Sequence, residues 1–112
     1  MDLLQGDVWD IAFAEGYERP GVIVTRNELN RGRLVLVVPC TASQVGTRAK
    51  HANNVLLPAG AGGLPKASVA QVHLIQPVDR EWLIAKRGRL DDEQLGEILQ
   101  ALAWAVDLLL TC

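Results

Sequence analysis

Two side chains that can bind a phosphate lie at the outer ends of two apolar segments early in the chain. Arg19 opens a predicted strand over residues 19–25, and Thr41 closes another over residues 34–41. The polar stretch 26–33 between them is short enough for a hairpin turn. Because a hairpin brings the start of its first strand and the end of its second to one edge, we expect the Arg19 guanidinium beside the Thr41 hydroxyl. The planar, permanently charged guanidinium suits a phosphate, so the pattern predicts an anion-binding corner.

The two histidines are the candidates for proton transfer, because imidazole side chains titrate near neutral pH. His73 falls in a predicted strand over residues 68–76, whose alternation places it on the same face as Gln71. The predicted core face of that strand carries Ala70, Val72 and Leu74. His51 belongs to a polar loop over residues 42–54, together with two basic side chains. The sequence leaves open which imidazole serves a site.

The composition indicates one domain, residues 1–112, large enough for its own core. Hydrophobic residues make up 49% of the chain and the formal net charge is −2. With that charge, binding to a nucleic acid requires a local basic patch. The two cysteines, Cys40 and Cys112, predict no disulfide framework, and no Cys/His cluster has the spacing of a metal site.

The N-terminal segment has neither the basic nor the apolar region of a signal peptide. No apolar run reaches the length of a membrane span. We therefore expect a soluble cytoplasmic protein that does not cross a membrane.

The periodicity predicts a mainly β protein with a C-terminal α-helix. Strands are expected over residues 8–13, 19–25, 34–41, 55–58 and 68–76, a helical turn or short helix over 79–86, and a helix over 92–110. Asp91 and Gln94 form a predicted capping box. Because segment 34–38 is apolar throughout, both of its faces must be buried, by a helix or by another subunit. Short strands linked by turns favour a small, partly open barrel or curled sheet.

The predicted helix is apolar over more than one face. Its expected core stripe is Leu95, Ile98, Leu99, Leu102, Val106 and Leu109. Further apolar residues widen that stripe, including Trp104 and Leu108. This surplus of apolar surface again indicates a partner subunit.

Several short motifs occur in a particular order along the chain. They are Gly6-Asp7-Val8-Trp9, Arg19-Pro20, Val38-Pro39-Cys40-Thr41-Ala42-Ser43, Ser68-Val69 and Val78-Asp79-Arg80, followed by the amphipathic helix. Together they resemble the MazF/PemK family, the toxin halves of bacterial toxin–antitoxin pairs, over residues 6–110. The resemblance implies an SH3-like β-barrel of the MazF/PemK/CcdB type with a C-terminal helix, assembled as a homodimer. It also implies an endoribonuclease that cuts single-stranded RNA without a metal or other cofactor, and an antitoxin whose acidic C-terminal segment blocks the RNA groove.

The resemblance also assigns roles to individual residues. Arg19 and Thr41 match the family's catalytic arginine and its catalytic threonine or serine. PemK-like members carry an Arg and an Asp where this chain has Gln71 and His73, so the proton-transfer residue does not carry over. We expect His73 to be that catalytic residue, with His51 as the alternative. The expected substrate-binding residues are Ser43, Arg26, Arg48, Lys50, His51 and Gln71, and Tyr17 or Trp9 would offer a stacking face.

An alternative function follows from the same departures around His73. The chain would then be a binding toxin without catalysis, or a relative of the gyrase-targeting CcdB toxins that share this barrel. Cleavage of single-stranded RNA in the presence of EDTA distinguishes the two.

Overall fold

A computed structural model of the protein describes residues 2–107. It contains seven strands, two α-helices and four short 3₁₀ turns. The strands are β1 Asp7–Ala14, β2 Tyr17–Ile23, β3 Leu34–Thr41, β4 Asn54–Leu57, β5 Ser68–Gln71, β6 Gln76–Asp79 and β7 Leu83–Arg89. The helices are α1 Val45–Arg48 and α2 Asp92–Ala105, and the 3₁₀ turns are Asn27–Leu29, Ala61–Gly63, Val72–Leu74 and Arg80–Trp82.

The strands form one antiparallel sheet in the order β4-β5-β3-β2-β1-β7. Strand β6 also pairs with β3, along residues 34–37, whereas β5 pairs with Cys40 and Thr41. The sheet does not close, so β4 and β7 remain as its edges. The predicted mainly β fold with a C-terminal helix is confirmed, and the barrel is an open one.

Strand β3 separates two apolar cores. Val38 and Cys40 belong to the core on the α2 side, where Ile98 of the helix is fully buried. Val35 and Val37 point to the other face and pack in the second core. From Val37 to Cys40, β3 is therefore buried on both faces by this chain itself. Leu34 and Leu36 of the apolar run are 57% and 41% exposed, so the expected burial of segment 34–38 on both faces is met only in part.

The predicted strand over residues 68–76 is interrupted by the 3₁₀ turn Val72–Leu74. Both halves pair with β3: Cys40 is opposite Ala70 in β5, and Val37 is opposite Gln76 in β6. The register shifts by three residues between the two pairings, which is the length of the turn. The prediction that Leu74 belongs to the core is therefore wrong, and this side chain is 41% exposed.

The interruption also separates the two polar residues that the alternation placed on one face. Gln71 is buried at the end of β5, whereas His73 stands exposed on the turn. Side chains alternate between the two faces of a sheet only within a continuous strand. The alternation therefore does not apply to the looped-out residues.

The segment predicted as a helical turn or short helix over residues 79–86 has two parts. Arg80–Trp82 is a 3₁₀ turn, and the strand β7, which the sequence did not indicate, begins at Leu83. Strand β7 pairs with β1 along one side only, and most of its residues are exposed. Charged side chains are typical of such an edge strand, and they interrupt the apolar pattern by which a strand is predicted from sequence.

Helix α2 begins with the predicted capping box. The Gln94 backbone N–H donates to Asp91 Oδ1 at 2.7 Å, and the Asp91 N–H donates to Gln94 Oε1 at 3.3 Å. Of the predicted stripe, Ile98 is buried and Val106 is 61% exposed, with Leu95, Leu99 and Leu102 in between. Residues 108–110 of the predicted helix, including Leu109, lie outside the described residues.

Within residues 2–107, no helix has both the length and the apolar character needed to span a membrane.

Candidate active site

The register of the β2–β3 hairpin brings Arg19 and Thr41 together, as the sequence predicted. Gly21 pairs with Pro39 and Val22 pairs with Val38. Two residues further along this register, Arg19 stands opposite Thr41. The Arg19 Nη2 donates a hydrogen bond to Thr41 Oγ1 at 3.1 Å.

Gly21 permits the tight packing of the sheet next to this pair. A Cβ at this position would lie 2.7 Å from Ile11 Cδ1 and 3.3 Å from the Phe13 ring. The first distance is too short for two carbon atoms, so a larger residue would force the end of the buried Ile11 side chain to shift.

The Thr41 hydroxyl can make one more hydrogen bond than it makes among the described residues. Its oxygen accepts from Arg19 and from the Ser43 backbone N–H, both at 3.1 Å. A hydroxyl has two acceptor lone pairs and one donor hydrogen. Both lone pairs are used, so the Thr41 O–H is available to donate to an anion.

Arg19 keeps an uncompensated positive charge. The ion pairs formed within residues 2–107 are Arg26–Glu28, Arg33–Asp79, Lys86–Asp7 and Arg87–Asp10. Arg19 belongs to none of them. Its guanidinium instead lies over the Tyr17 ring, 5.2 Å from the ring centroid, and the residue is partly exposed. We call the arrangement of Tyr17, Arg19, Thr41 and Ser43 the phosphate corner.

The loop that follows Thr41 is tied to the phosphate corner by Arg48. The Arg48 Nε donates to the Ser43 carbonyl oxygen at 3.0 Å, and Asn54 Nδ2 donates to the Arg48 carbonyl oxygen at 2.8 Å. Ser43 and Arg48 are thus brought together with the corner. Lys50 and His51 follow on the same loop and are exposed.

Gln71 and His73 form no hydrogen bond with Arg19 or Thr41 among the described residues. Gln71 pairs with Asn54 across the strands, is 4% exposed, and its Oε1 has no hydrogen-bond partner among residues 2–107. The His73 Nδ1 lies 2.6 Å from Asn53 Nδ2. Hydrogen bonds of the loop therefore lead from Thr41 towards His73 without joining the two residues.

Two of the predicted contact residues lie away from the phosphate corner. Arg26 is in the turn at the opposite end of the hairpin, where it is exposed and pairs with Glu28 at 3.2 Å. Trp9 is only 5% exposed because it belongs to the second core, which excludes it as one of the two alternatives for a stacking face. Tyr17, at 47% exposed, is the aromatic residue that the structure brings to Arg19.

Cys40 adjoins Thr41 in the chain but points into the core on the α2 side. Burial raises the pKa of the Cys40 thiol to about 12, and the nearby Arg19 charge offsets only part of that effect. The group stays a neutral thiol at physiological pH, which makes it a poor nucleophile.

Sequence reasoning missed two contacts of the candidate residues. Tyr17 and Arg19 are two residues apart on one strand, a spacing that places their side chains on the same face. That signal was present in the sequence. The contact between Asn53 and His73 depends on the looped-out turn, and no sequence pattern indicates it.

Two comparisons with known proteins match this chain over most of its length. A family model described as PemK-like, MazF-like toxin of type II toxin-antitoxin system matches residues 4–106. A relative named probable endoribonuclease MazF5, from Mycobacterium tuberculosis, is 34% identical over 104 residues, covering 92% of each chain.

Solved structures share the fold. An endoribonuclease in complex with its cognate antitoxin, from a mycobacterial species, superposes with a TM-score of 0.82 at 23% identity, covering 97% of this chain and 99% of that one. The Mycobacterium tuberculosis toxin MazF-mt6 gives a TM-score of 0.78 at 25% identity, covering 91% and 97%.

Proposed function

Since the chain belongs to the PemK-like, MazF-like toxins of type II toxin–antitoxin systems, we propose that the phosphate corner is the catalytic site of a metal-independent ribonuclease. The protein is an endoribonuclease toxin, as the resemblance predicted. The observation that carries the site assignment is the 3.1 Å hydrogen bond between Arg19 and Thr41, which places a free cation and a free hydroxyl donor side by side.

The corner suits a phosphodiester that is attacked by its own 2′-hydroxyl. The 2′-oxygen forms a bond to phosphorus while the bond from phosphorus to the 5′-oxygen breaks. The 2′-hydroxyl loses its proton to a base, and the leaving 5′-oxygen takes up a proton. The products are a 2′,3′-cyclic phosphate and a free 5′-hydroxyl.

Negative charge on the non-bridging phosphate oxygens is what Arg19 and Thr41 stabilise. The guanidinium offers the donors that Thr41 does not occupy, and the Thr41 O–H adds another. Donors that are already oriented towards the developing charge supply the largest share of catalysis in many enzymes. Because Arg19 has no carboxylate partner within residues 2–107, its positive charge remains available to a phosphate.

Proton transfer is assigned to His73, with His51 as the alternative. With the Asn53 amide nitrogen as donor, His73 Nδ1 accepts, and the proton of the neutral ring lies on Nε2. Charging the ring would place N–H groups on both nitrogens, so the Asn53 amide must then turn its oxygen to Nδ1. To take up a proton from the 2′-hydroxyl, Nε2 must carry a lone pair. His73 therefore acts as a base in the other tautomer, in which Nδ1–H donates to the turned Asn53 oxygen.

The RNA strand would follow the loop from the corner towards His73. We expect the strand to contact Ser43, Arg48, Lys50 and His51 on this loop. It would also contact Gln71, whose buried Oε1 has no hydrogen-bond partner among residues 2–107. Single-stranded RNA is bound through its phosphates and its splayed bases, and these side chains supply both kinds of contact. Arg26 would reach RNA only if the strand extended around the hairpin.

The expected partners are single-stranded RNA, a cognate antitoxin with an acidic C-terminal segment, and a second copy of the chain. An acidic segment would compete for the unpaired Arg19. Large apolar side chains remain exposed on this chain and would be buried in a homodimer, including Leu34, Leu36, Ile84 and Trp104. Cleavage of messenger RNA inhibits translation and growth and would take place in the cytoplasm.

The test is incubation of the purified protein with long single-stranded RNA in the presence of EDTA. We expect fragments that end in a 2′,3′-cyclic phosphate and begin with a 5′-hydroxyl. Intact RNA at every sequence tried would refute the assignment. The gyrase-targeting alternative is not favoured by the relatives, and a gyrase-dependent DNA cleavage assay would detect it.

A further inference from the structure

Tyr17 reaches Arg19 because the β1–β2 turn is very short. Ala14 pairs with Tyr17, which leaves only Glu15 and Gly16 in the turn, and Gly16 has a φ of +71°. Strand β2 therefore begins at Tyr17, and residues two apart on a strand share a face. The tight hairpin fixes the ring directly beneath the guanidinium.

Two contacts hold the Arg19 side chain, and neither neutralises it. One is the hydrogen bond to Thr41 and the other is the Tyr17 ring at 5.2 Å, within the range of a cation–π interaction. A carboxylate would restrain the guanidinium equally well but would cancel the charge that the phosphate needs. An aromatic face restrains the plane of the group and leaves its charge and its outward donors free.

We propose that Tyr17 is a positioning residue for the ribonuclease reaction, which holds the Arg19 guanidinium in the orientation that meets the phosphate. This inference rests on the proposed function of the phosphate corner. An arginine side chain has several rotatable bonds, and ordering them costs free energy at each turnover unless the protein has ordered them beforehand. The ring supplies that order before RNA binds.

The first experiment examines the free protein by NMR and does not depend on RNA cleavage. A side chain over an aromatic ring has its proton resonances shifted by the ring current, so the Arg19 side chain should show this shift. We expect Tyr17→Phe to keep the shift and Tyr17→Leu to abolish it. An unshifted Arg19 in the unsubstituted protein would overturn the proposal while leaving the ribonuclease assignment intact.

The second experiment measures cleavage of single-stranded RNA by the same variants. We expect Tyr17→Leu to lower kcat about 3- to 30-fold, the range of a cation–π contact, with a smaller change in KM. Tyr17→Phe should restore at least half of the activity, because the ring and not the hydroxyl makes the contact. Equal loss in the two variants, or a change in KM alone, would contradict the role.

A double-mutant cycle separates positioning from a general effect on the fold. In an Arg19→Ala background no cation lies over the ring, so Tyr17→Leu should cost less than 2-fold there. An undiminished cost in that background would show that Tyr17 acts elsewhere. Glu18→Gln, on the other face of β2, is the matched control, and we expect no change in kcat. Absence of cleavage by the unsubstituted protein would refute the proposed function, and the NMR result would still decide the contact.

Discussion

The phosphate corner and the turn Val72–Leu74 both adjoin β3, and both carry candidate catalytic residues. Next to the corner, all pairs of β2 and β3 share one register, and Arg19 meets Thr41 at 3.1 Å. At the turn, the register against β3 shifts by three residues, and His73 contacts Asn53 instead. At the phosphate corner, the position of a residue in the sequence therefore predicts its partner across the strands. At the turn it does not, because the looped-out residues break the register.

The largest effect should come from the corner. Removal of the guanidinium by Arg19→Ala should lower RNA cleavage about 10²- to 10³-fold, because it removes a preorganised cation from the developing charge. Gel assays with single-stranded RNA and EDTA measure the rate, and thermal unfolding confirms the fold. Arg19→Lys is the matched control and should keep a measurable fraction of the activity, since the charge remains. Full activity of Arg19→Ala would show that the corner is not the site.

Thr41→Val should lower the rate about 10- to 100-fold. The substitution keeps the shape but removes the hydroxyl that would donate to a phosphate oxygen, and hydrogen bonds to charged groups are worth about 1.5–3 kcal/mol. It also leaves the Ser43 N–H without its acceptor. Thr41→Ser keeps the hydroxyl and should recover most of the rate. If the serine variant is as impaired as the valine variant, the methyl group and not the hydroxyl matters.

His73→Gln tests the candidate residue on the turn Val72–Leu74, and we expect the rate of RNA cleavage to fall roughly ten-fold. This lies below the usual range for general acid–base catalysis, because water reaches the exposed ring and can carry the proton instead. The pH–rate profile should lose the limb that the His73 imidazole contributes. An unchanged profile would exclude His73 as the proton-transfer group, and His51→Gln would then be examined in the same way.

Cys40 gives the smallest expected effect, which concerns stability and not activity. In the unfolded chain the thiol ionises at its ordinary pKa, whereas burial raises the pKa to about 12 in the folded chain. The folded state therefore holds its proton from about pH 9 to 12 while the unfolded state loses it, and stability falls as the pH rises through that window.

The slope due to this thiol is about 1.4 kcal/mol per pH unit. Urea unfolding at pH 8 and pH 10 measures it, and the difference between the protein and Cys40→Ala isolates the thiol from other groups that titrate there. An equal pH dependence in both proteins would place Cys40 outside the core.

The parts of the fold that the sequence predicted are those with regular patterns. Strand β3 was predicted with its observed bounds, Leu34–Thr41, because a turn precedes its apolar segment and the polar Thr41 closes it. The capping box of α2 was predicted from Asp91 and Gln94. In each case a local rule and the tertiary structure agree.

The parts that the sequence did not predict depend on tertiary pairing. The turn at Val72–Leu74 forms because both halves of the segment pair with β3 in different registers, and no local signal marks that break. Strand β7 gains its conformation from pairing with β1, although its sequence is largely charged. The Arg19–Thr41 pair was predictable because the hairpin is local, and the position of His73 was not because it follows a break.

The central position of β3 has a consequence for the order in which the protein folds. Its pairing with β2 joins residues such as Gly21 and Pro39, whereas its pairing with β5 joins Cys40 to Ala70 and closes a longer loop. Shorter loops close at lower entropic cost, and the N-terminal part of a chain leaves the ribosome first. The hairpin that carries Arg19 and Thr41 can therefore form on a nascent chain whose β5, β6 and α2 have yet to be synthesised.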